Sequence, residues 1–283
     1  MSPVLALFWL AAVPEQRAID YLAREVERWP RENHCYSCHN NGDGARVLFR
    51  AAPGIALAGT REWLSHPGNW EKGGGNPGFN NATLARIQFA AALAEMGGNL
   101  RAAAELVARD QKPDGRWEID TGGLPSAPAT YGTALATYMA RRTLERAGRF
   151  ADAIRRADRW FEKAEPNSIT DAAAILLARP RSKTVRSRCL PKILGAQTSD
   201  GGWGPQRGAP AEIFDTALVL LALQAAAERG PIERGRAYLL ARQESYGGWQ
   251  ETTRPTGNTS YAEHISTTAW ALEALLATNP KRQ

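Results

Sequence analysis

The sequence predicts an all-α protein, an α6/α6 toroid in which an outer ring of six helices surrounds an inner ring of six. Three observations lead to this fold class. A Q-x-x-x-G-x-W pattern occurs three times, the copies are spaced as helix pairs would be, and amphipathic segments alternate with segments that are apolar nearly all round. A period of roughly 20–50 residues is typical of stacked units that bury their apolar faces against their neighbours.

The repeat spacing fixes the size of one unit. Measured from Trp70, which ends a degenerate Gly-Asn-Trp copy, the tryptophans that end the motif copies are 47, 86 and 46 residues apart, and 86 is two units of 43. One copy between Trp117 and Trp203 has therefore lost its motif, and the chain holds six units in sequence. The three intact copies are Gln111–Trp117, Gln197–Trp203 and Gln243–Trp249.

Each unit contains two predicted helices of different character. The segment before each Gln carries Arg and Glu on one face, which predicts an outer helix. The segment after each Trp opens with Thr-Ala in three units and is Ala/Leu-rich, which predicts a buried inner helix. The predicted outer helices are 15–28, 59–66, 100–110, 150–164, 183–196 and 232–243, and the predicted inner helices are 44–58, 81–96, 129–147, 168–179, 212–228 and 262–278.

Composition excludes several classes of protein. The chain has 283 residues, 43% of them hydrophobic and 23% charged, which excludes wholesale disorder. The net charge of +6 is spread over helices that also carry acids, so we expect no nucleic-acid partner. No apolar run reaches the ~18–20 residues of a membrane span. Residues 1–14 form an apolar, signal-like segment, and residues 15–283 are predicted to be a single toroid domain.

The repeated motif resembles a known family. The Q-x-x-x-G-x-W copies are similar to the QW motifs of squalene–hopene cyclases, and the array of helix pairs resembles the wider terpenoid cyclase and protein prenyltransferase toroids. This resemblance implies a central cavity that takes a hydrophobic small molecule. It also implies structural roles for the motif residues, which tie the end of an outer helix to neighbouring units: Gln111, Gln197, Gln243, Trp117, Trp203 and Trp249.

The sequence departs from the class II cyclases at the acid that starts their reaction. Their D-x-D-D-T-A motif corresponds to residues 212–217, which read Glu-Ile-Phe-Asp-Thr-Ala. Phe214 occupies the position of the proton-donating Asp, and an alkene is so weak a base that its protonation requires a tuned acid. We therefore expect no class II cyclase activity. Asp215 is interpreted as a carboxylate at a helix N-terminus, and no catalytic residue is assigned.

A second motif precedes the first inner helix. Cys35-Tyr-Ser-Cys38-His39 resembles the C-x-x-C-H attachment site of c-type haem. Two thiols at this spacing add to the two vinyl groups of haem, and the adjacent histidine is then placed to bind iron. Two alternatives stay open from the residues alone: a zinc site completed by nearby histidines, and a local disulfide between the cysteines.

Topology predicts further ligands for this motif. In a closed ring of six units, the first unit touches the second and the sixth, and all outer-to-inner loops lie at one mouth. His66 and His264 are therefore predicted near Cys35, Cys38 and His39, where one of them supplies a sixth haem ligand or both complete a zinc site. The sequence thus predicts a periplasmic or extracytoplasmic haem c toroid that exchanges electrons with a redox partner protein. The alternatives are a cytoplasmic location and an isoprenoid-processing or lipid-binding toroid.

Overall fold

The structure, a computed structural model, describes residues 13–72 and 81–280. Most of the signal-like segment predicted over residues 1–14 lies outside this range. Within it, outer and inner α-helices alternate along the chain as the repeat predicts. The outer helices are α1 Pro14–Asn33, α3 Ala58–Leu64, α5 Arg101–Arg109, α7 Ala151–Lys163, α9 Lys183–Leu194 and α11 Ile232–Ala241; the inner helices are α2 Ala45–Ala51, α4 Ala82–Met96, α6 Gly132–Arg146, α8 Ile169–Ala178, α10 Ile213–Ala225 and α12 Tyr261–Ala277.

The inner helices close into a ring, which confirms the all-α toroid. Each of α4, α6, α8 and α10 contacts the inner helices on both sides, and α12 contacts α10 and the segment that begins the first inner helix. The two classes of helix also differ in burial as predicted. In α7 only Ala153, Ala157 and Phe161 are buried, at the i, i+4, i+8 spacing of one face, whereas nearly all of α10 is buried.

The Q-x-x-x-G-x-W motif joins each unit to the next outer helix. Gln197 Nε2 donates to the carbonyl oxygens of Gly201 at 2.8 Å and of Pro231, beside α11, at 3.0 Å. Trp203 Nε1 donates 2.8 Å back to Ile193 O at the end of α9. Its backbone N–H donates 2.9 Å to Thr216 Oγ1 on α10. One motif therefore ties together an outer helix, the next inner helix and the next outer helix.

The last copy of the motif closes the ring. Gln243 Nε2 donates 2.8 Å to the carbonyl of Pro14, so the sixth unit binds the first residue of α1. Gln111 makes the equivalent contact to the next outer helix, because its Nε2 donates 2.8 Å to the carbonyl oxygen of Ala153 in α7. The structural roles that the family resemblance implies for the motif residues are consistent with these contacts.

The first inner helix differs from the prediction of 44–58. A π-helical segment, Cys38–Gly44, precedes α2, and α2 ends at Ala51. Pro53, which follows, has no N–H to donate and disfavours helical geometry in the residue before it. The π-helical segment is stabilised by its buried polar side chains: Asn41 Nδ2 donates to Val26 O at 3.1 Å and to Thr60 Oγ1 at 2.9 Å.

Bulky side chains at the start of α6 and on α10 and α12 pack against one another inside the ring. Tyr131 and Phe214 pack edge-on against Trp270, with ring centroids 5.7 and 6.1 Å apart, and all three are buried. The Arg46 guanidinium lies over the Trp270 ring, 4.6 Å from its centroid. Two cavities, of about 720 and 570 Å³, are lined mainly by residues of the outer-to-inner loops and the helix ends beside them.

Candidate functional site

The Cys-x-x-Cys-His segment connects α1 to the first inner helix. α1 ends at Asn33, and His34 adopts the left-handed conformation that terminates a helix, with φ 51°. Cys35 follows in the loop, and Cys38 begins the π-helical segment. Both cysteines are free thiols and both are partly buried. The fold therefore presents two reduced thiols and one imidazole from a short loop at the mouth of the ring.

His39 is held between two neighbours. Its Nδ1 lies 3.5 Å from Ser266 Oγ on α12, and its Nε2 lies 3.6 Å from Cys38 Sγ. Burial lowers the pKa of His39 to about 4, so the imidazole is neutral near pH 7. Burial likewise raises the pKa of the Cys38 thiol to about 12, so Cys38 keeps its proton. A neutral imidazole is the form of histidine that binds metals.

Cys38 and His39 line a common cavity of about 570 Å³. A cavity of this size falls in the range of small-molecule and cofactor sites, roughly 300–1,000 Å³. Its wall combines apolar and polar side chains from the first three units. The remaining lining residues are Asn81, Ala82, Thr83, Leu84, Ile119, Asp120, Ala129 and Thr130.

Behind His39 lies a buried carboxylate that the sequence analysis did not single out. Asp43 Oδ2 accepts hydrogen bonds from Ser266 Oγ and Gln88 Nε2, each at 2.9 Å. Its Oδ1 accepts from the Tyr131 hydroxyl and lies 3.8 Å from Arg46 Nε. Burial raises the pKa of Asp43 to about 6, against the opposing effect of Arg46 and the three hydrogen bonds. At pH 7 the group is an anion enclosed by donors.

A second buried carboxylate, Glu273, lies on α12. Glu273 accepts from Arg46 Nη1 at 2.5 Å and from Arg50 Nη1 at 2.7 Å. Burial alone would raise the pKa of Glu273, but Arg46, Arg50 and Arg142 lower it below its ordinary value. Arg142 also donates 2.8 Å to Glu95. The ring therefore contains a buried ionic cluster centred on Glu273.

The two predicted partner histidines are not brought to His39. His66 is exposed, and its Nδ1 lies 2.9 Å from the carbonyl oxygen of Glu62. His264 is in the first turn of α12, where its Nδ1 lies 3.1 Å from Glu251 Oε2 and its ring packs against Tyr21 and Tyr246. Among residues 13–72 and 81–280, no three His, Cys, Asp or Glu side chains are grouped as a metal site requires.

The segment that corresponds to the cyclase acid motif is buried and ion-paired. Asp215 accepts from Thr170 Oγ1 at 2.6 Å and from Arg254 Nη2 at 2.7 Å. Burial raises its pKa to about 6, and Arg254 opposes that shift. Phe214, at the position of the proton donor, is packed against Trp270. Asp215 is in the first turn of α10, as interpreted from the sequence, and it also joins α8 to the loop after α11.

Comparisons with known proteins find a similar sequence over the second half of the chain and a similar fold over nearly all of it. Residues 168–283 match the family model of the squalene-hopene cyclase C-terminal domain. A curated relative, drimenyl diphosphate synthase of Streptomyces showdoensis, is 29% identical over 166 residues. That match covers 52% of this chain and 31% of the relative, so the chain aligns with less than a third of the curated protein's length.

Solved structures resemble the chain over nearly its full length. A protein from Actinoplanes superposes with a TM-score of 0.63 at 16% identity, covering 93% of this chain and 98% of that one. A variant of the type II terpene cyclase MstE from Scytonema, in complex with geranylgeranyl dihydroxybenzoate, has a TM-score of 0.62 at 13% identity, with 93% and 97% covered. A glycosidase variant in complex with glucose shares the fold at a TM-score of 0.57 and 12% identity, with 95% and 98% covered. The chain thus has the terpene cyclase α/α toroid fold. Within the part of the chain that the structure describes, no helix has the length and apolar character needed to cross a membrane.

Proposed function

We propose that this terpene cyclase-like toroid carries one covalent haem c at its loop mouth and serves electron transfer or redox chemistry. Cys35 and Cys38 would hold the group covalently, and His39 would bind its iron. The observation that carries the proposal is the shared cavity of about 570 Å³, which Cys38 and the neutral His39 both line. We place the protein in the periplasm or another extracytoplasmic compartment, with a redox protein as its partner.

The donor set fits the chemistry of attachment. Both cysteines are free, as addition to a vinyl group requires. Each thiol forms a carbon–sulfur bond, and its proton passes to the neighbouring vinyl carbon, so no oxidant or reductant is consumed. Thioether formation at Cys38 also removes the S–H group that faces His39 Nε2 across 3.6 Å. Haem held in this way supplies a one-electron iron couple, tuned by its axial ligands and by the burial of the site.

His66 or His264 would supply a further ligand to the bound group, as the ring topology suggests. Each has a present partner that it must give up: the carbonyl of Glu62 for His66 and the carboxylate of Glu251 for His264. Without such a rearrangement an external ligand would take that position. Among the described residues no three His, Cys, Asp or Glu side chains are grouped, and this disfavours zinc, which requires four ligands around one point.

Isoprenoid processing or lipid binding is the alternative that the relatives suggest. Drimenyl diphosphate synthase and MstE are named for terpene chemistry. Against it stand the aromatic Phe214 at the position where the acid is required and the buried ion pair of Arg46 and Glu273 between α2 and α12.

The experiment is export of the chain together with a haem c maturation system, followed by extraction of haem with acid and organic solvent. We expect haem to stay with the protein, because thioether bonds are covalent. Cys35→Ala combined with Cys38→Ala should abolish attachment. Cys189→Ala is the matched control, because Cys189 is buried in α9, away from the mouth, and should leave haem bound. Stoichiometric zinc without haem under the same conditions would contradict the proposal.

A further inference from the structure

Ser266 lies between the imidazole of His39 and the carboxylate of Asp43. It is fully buried on α12, while His39 and Asp43 belong to the first unit. Its Oγ is 3.5 Å from His39 Nδ1 and 2.9 Å from Asp43 Oδ2. The three groups form a continuous chain across the seam where the sixth unit closes on the first.

The protons available to the three groups determine which of them donates and which accepts in each contact. A serine hydroxyl carries one proton and accepts through its lone pairs, whereas an ionised carboxylate only accepts. Asp43 also accepts from Gln88 Nε2 and from the Tyr131 hydroxyl, as an anion does. The Ser266 proton is therefore directed to Asp43, and Ser266 Oγ faces His39 Nδ1 as an acceptor.

An acceptor opposite Nδ1 requires the imidazole proton to be on Nδ1. Neutral imidazole has one N–H, so Nε2 then carries the free lone pair. The other neighbour agrees with this assignment, because the Cys38 thiol is a weak donor and lies 3.6 Å from Nε2. In metal sites the ring nitrogen that does not bind the metal usually donates to such a fixed partner, which sets the tautomer and the basicity of the ligand.

We propose that Ser266, anchored by Asp43, is a positioning residue that holds His39 in the Nδ1–H tautomer and so presents Nε2 as a metal ligand. The identity of that metal group as haem rests on the proposed function, whereas the tautomer itself does not. The anchor is built from several inner helices: Asp43 is fixed by Gln88 of α4 and by Tyr131, which immediately precedes α6.

The tautomer can be measured in the haem-free protein by ¹⁵N NMR of labelled histidine, with His39 assigned by the loss of its signals in His39→Gln. We expect Nδ1–H in the wild type. Ser266→Ala should shift the tautomer ratio about two- to tenfold toward Nε2–H, the range that one hydrogen bond is worth. Ser266→Thr keeps a hydroxyl and should restore the wild-type ratio. Ser187→Ala, on exposed α9 surface, is the control.

A second measurement uses the haem-loaded protein. Loss of the Ser266 contact makes His39 a weaker electron donor, so the midpoint potential of Ser266→Ala should be higher than that of wild type and of Ser266→Thr. A wild-type imidazole in the Nε2–H form, or an unchanged tautomer ratio in folded Ser266→Ala, would overturn the inference. A wild-type protein that takes up no haem while showing the Nδ1–H tautomer would contradict the proposed function and leave the role of Ser266 standing.

Discussion

The glycine of the repeat motif offers a sharp test of how the toroid is held together. Gly201 has φ +94°, and a Cβ added there would lie 2.6 Å from the carbonyl oxygen of Arg234 on α11. Gly115 and Gly247 have the same positive φ and meet the backbone of Arg156 and Arg17, respectively. In each copy the glycine lets the loop approach the next outer helix more closely than any side chain would allow.

The cost of Gly201→Ala follows from two separate effects. Positive φ costs an alanine about 1–2 kcal/mol, and forcing a methyl group against fixed backbone costs about 1–3 kcal/mol more. We therefore expect a loss of about 2–5 kcal/mol in the free energy of unfolding. Gly208 has φ +83° and open space around its Cβ position. Gly208→Ala should therefore carry only the cost of positive φ, a loss of about 1–2 kcal/mol in the free energy of unfolding. Gly54→Ala meets nothing within 4 Å at ordinary φ and should change stability by less than about 0.5 kcal/mol.

The assay is urea denaturation of the three variants and wild type, followed by tryptophan fluorescence and circular dichroism. The predicted order of destabilisation is Gly201→Ala, then Gly208→Ala, then Gly54→Ala. If Gly201→Ala were no more destabilising than Gly208→Ala, the close approach to α11 would not contribute to stability, and our account of the motif would be wrong.

Four further predictions concern the motif, the ionic interior, the imidazole and the missing acid. Trp203→Ala should cost about 3–5 kcal/mol in an unfolding experiment, because it empties a fully buried aromatic site; a near-neutral effect would refute the structural role of the motif. Glu273→Gln should cost about 3–5 kcal/mol, because Arg46 loses its 2.5 Å ion pair and keeps only Asp43, 3.8 Å away, whereas Glu105→Gln, in an exposed pair with Arg101, should be close to neutral. His39 should stay neutral in an NMR titration down to about pH 4. Because this folded-state pKa lies below the unfolded value of 6.5, the contribution of His39 to stability is complete above pH 6.5 and is lost as the pH falls toward 4. The stabilities of wild type and His39→Gln should therefore diverge between pH 6.5 and pH 4. The unmodified protein should not turn over squalene or shorter linear polyprenes, and cyclised products detected by gas chromatography would contradict the interpretation of Phe214.

Local pattern explains why the helices could be predicted from the sequence. Outer helices such as α7 carry one apolar face, and inner helices such as α10 are apolar nearly all round, so each has a signature of its own. The first inner helix was the exception. Asn41 and Asp43 are residue types that are typical of loops, and only hydrogen bonds to distant residues explain their burial in a helical segment. Pro53 ends the helix early.

The candidate site could be predicted only in part, for a similar reason. Topology predicts which mouth a loop occupies, but it does not predict the direction of a side chain, so His264 was expected near His39 and instead contacts Glu251. The network behind His39 is assembled from Asp43, Tyr131 and Ser266, which are far apart in sequence. In the sequence each is an isolated polar residue of a kind that is common on protein surfaces. Only the closed ring brings the three into contact.

The most direct test of the central claim is the mass of one peptide from exported, matured protein. Trypsin cleaves after Arg31 and Arg46, and the peptide between these sites contains Cys35, Cys38 and His39. Our account predicts that this peptide carries the added mass of one haem and that the peptide containing Cys189 carries none. An unmodified peptide, or one whose only change is a disulfide between its two cysteines, would contradict the assignment of a haem c site.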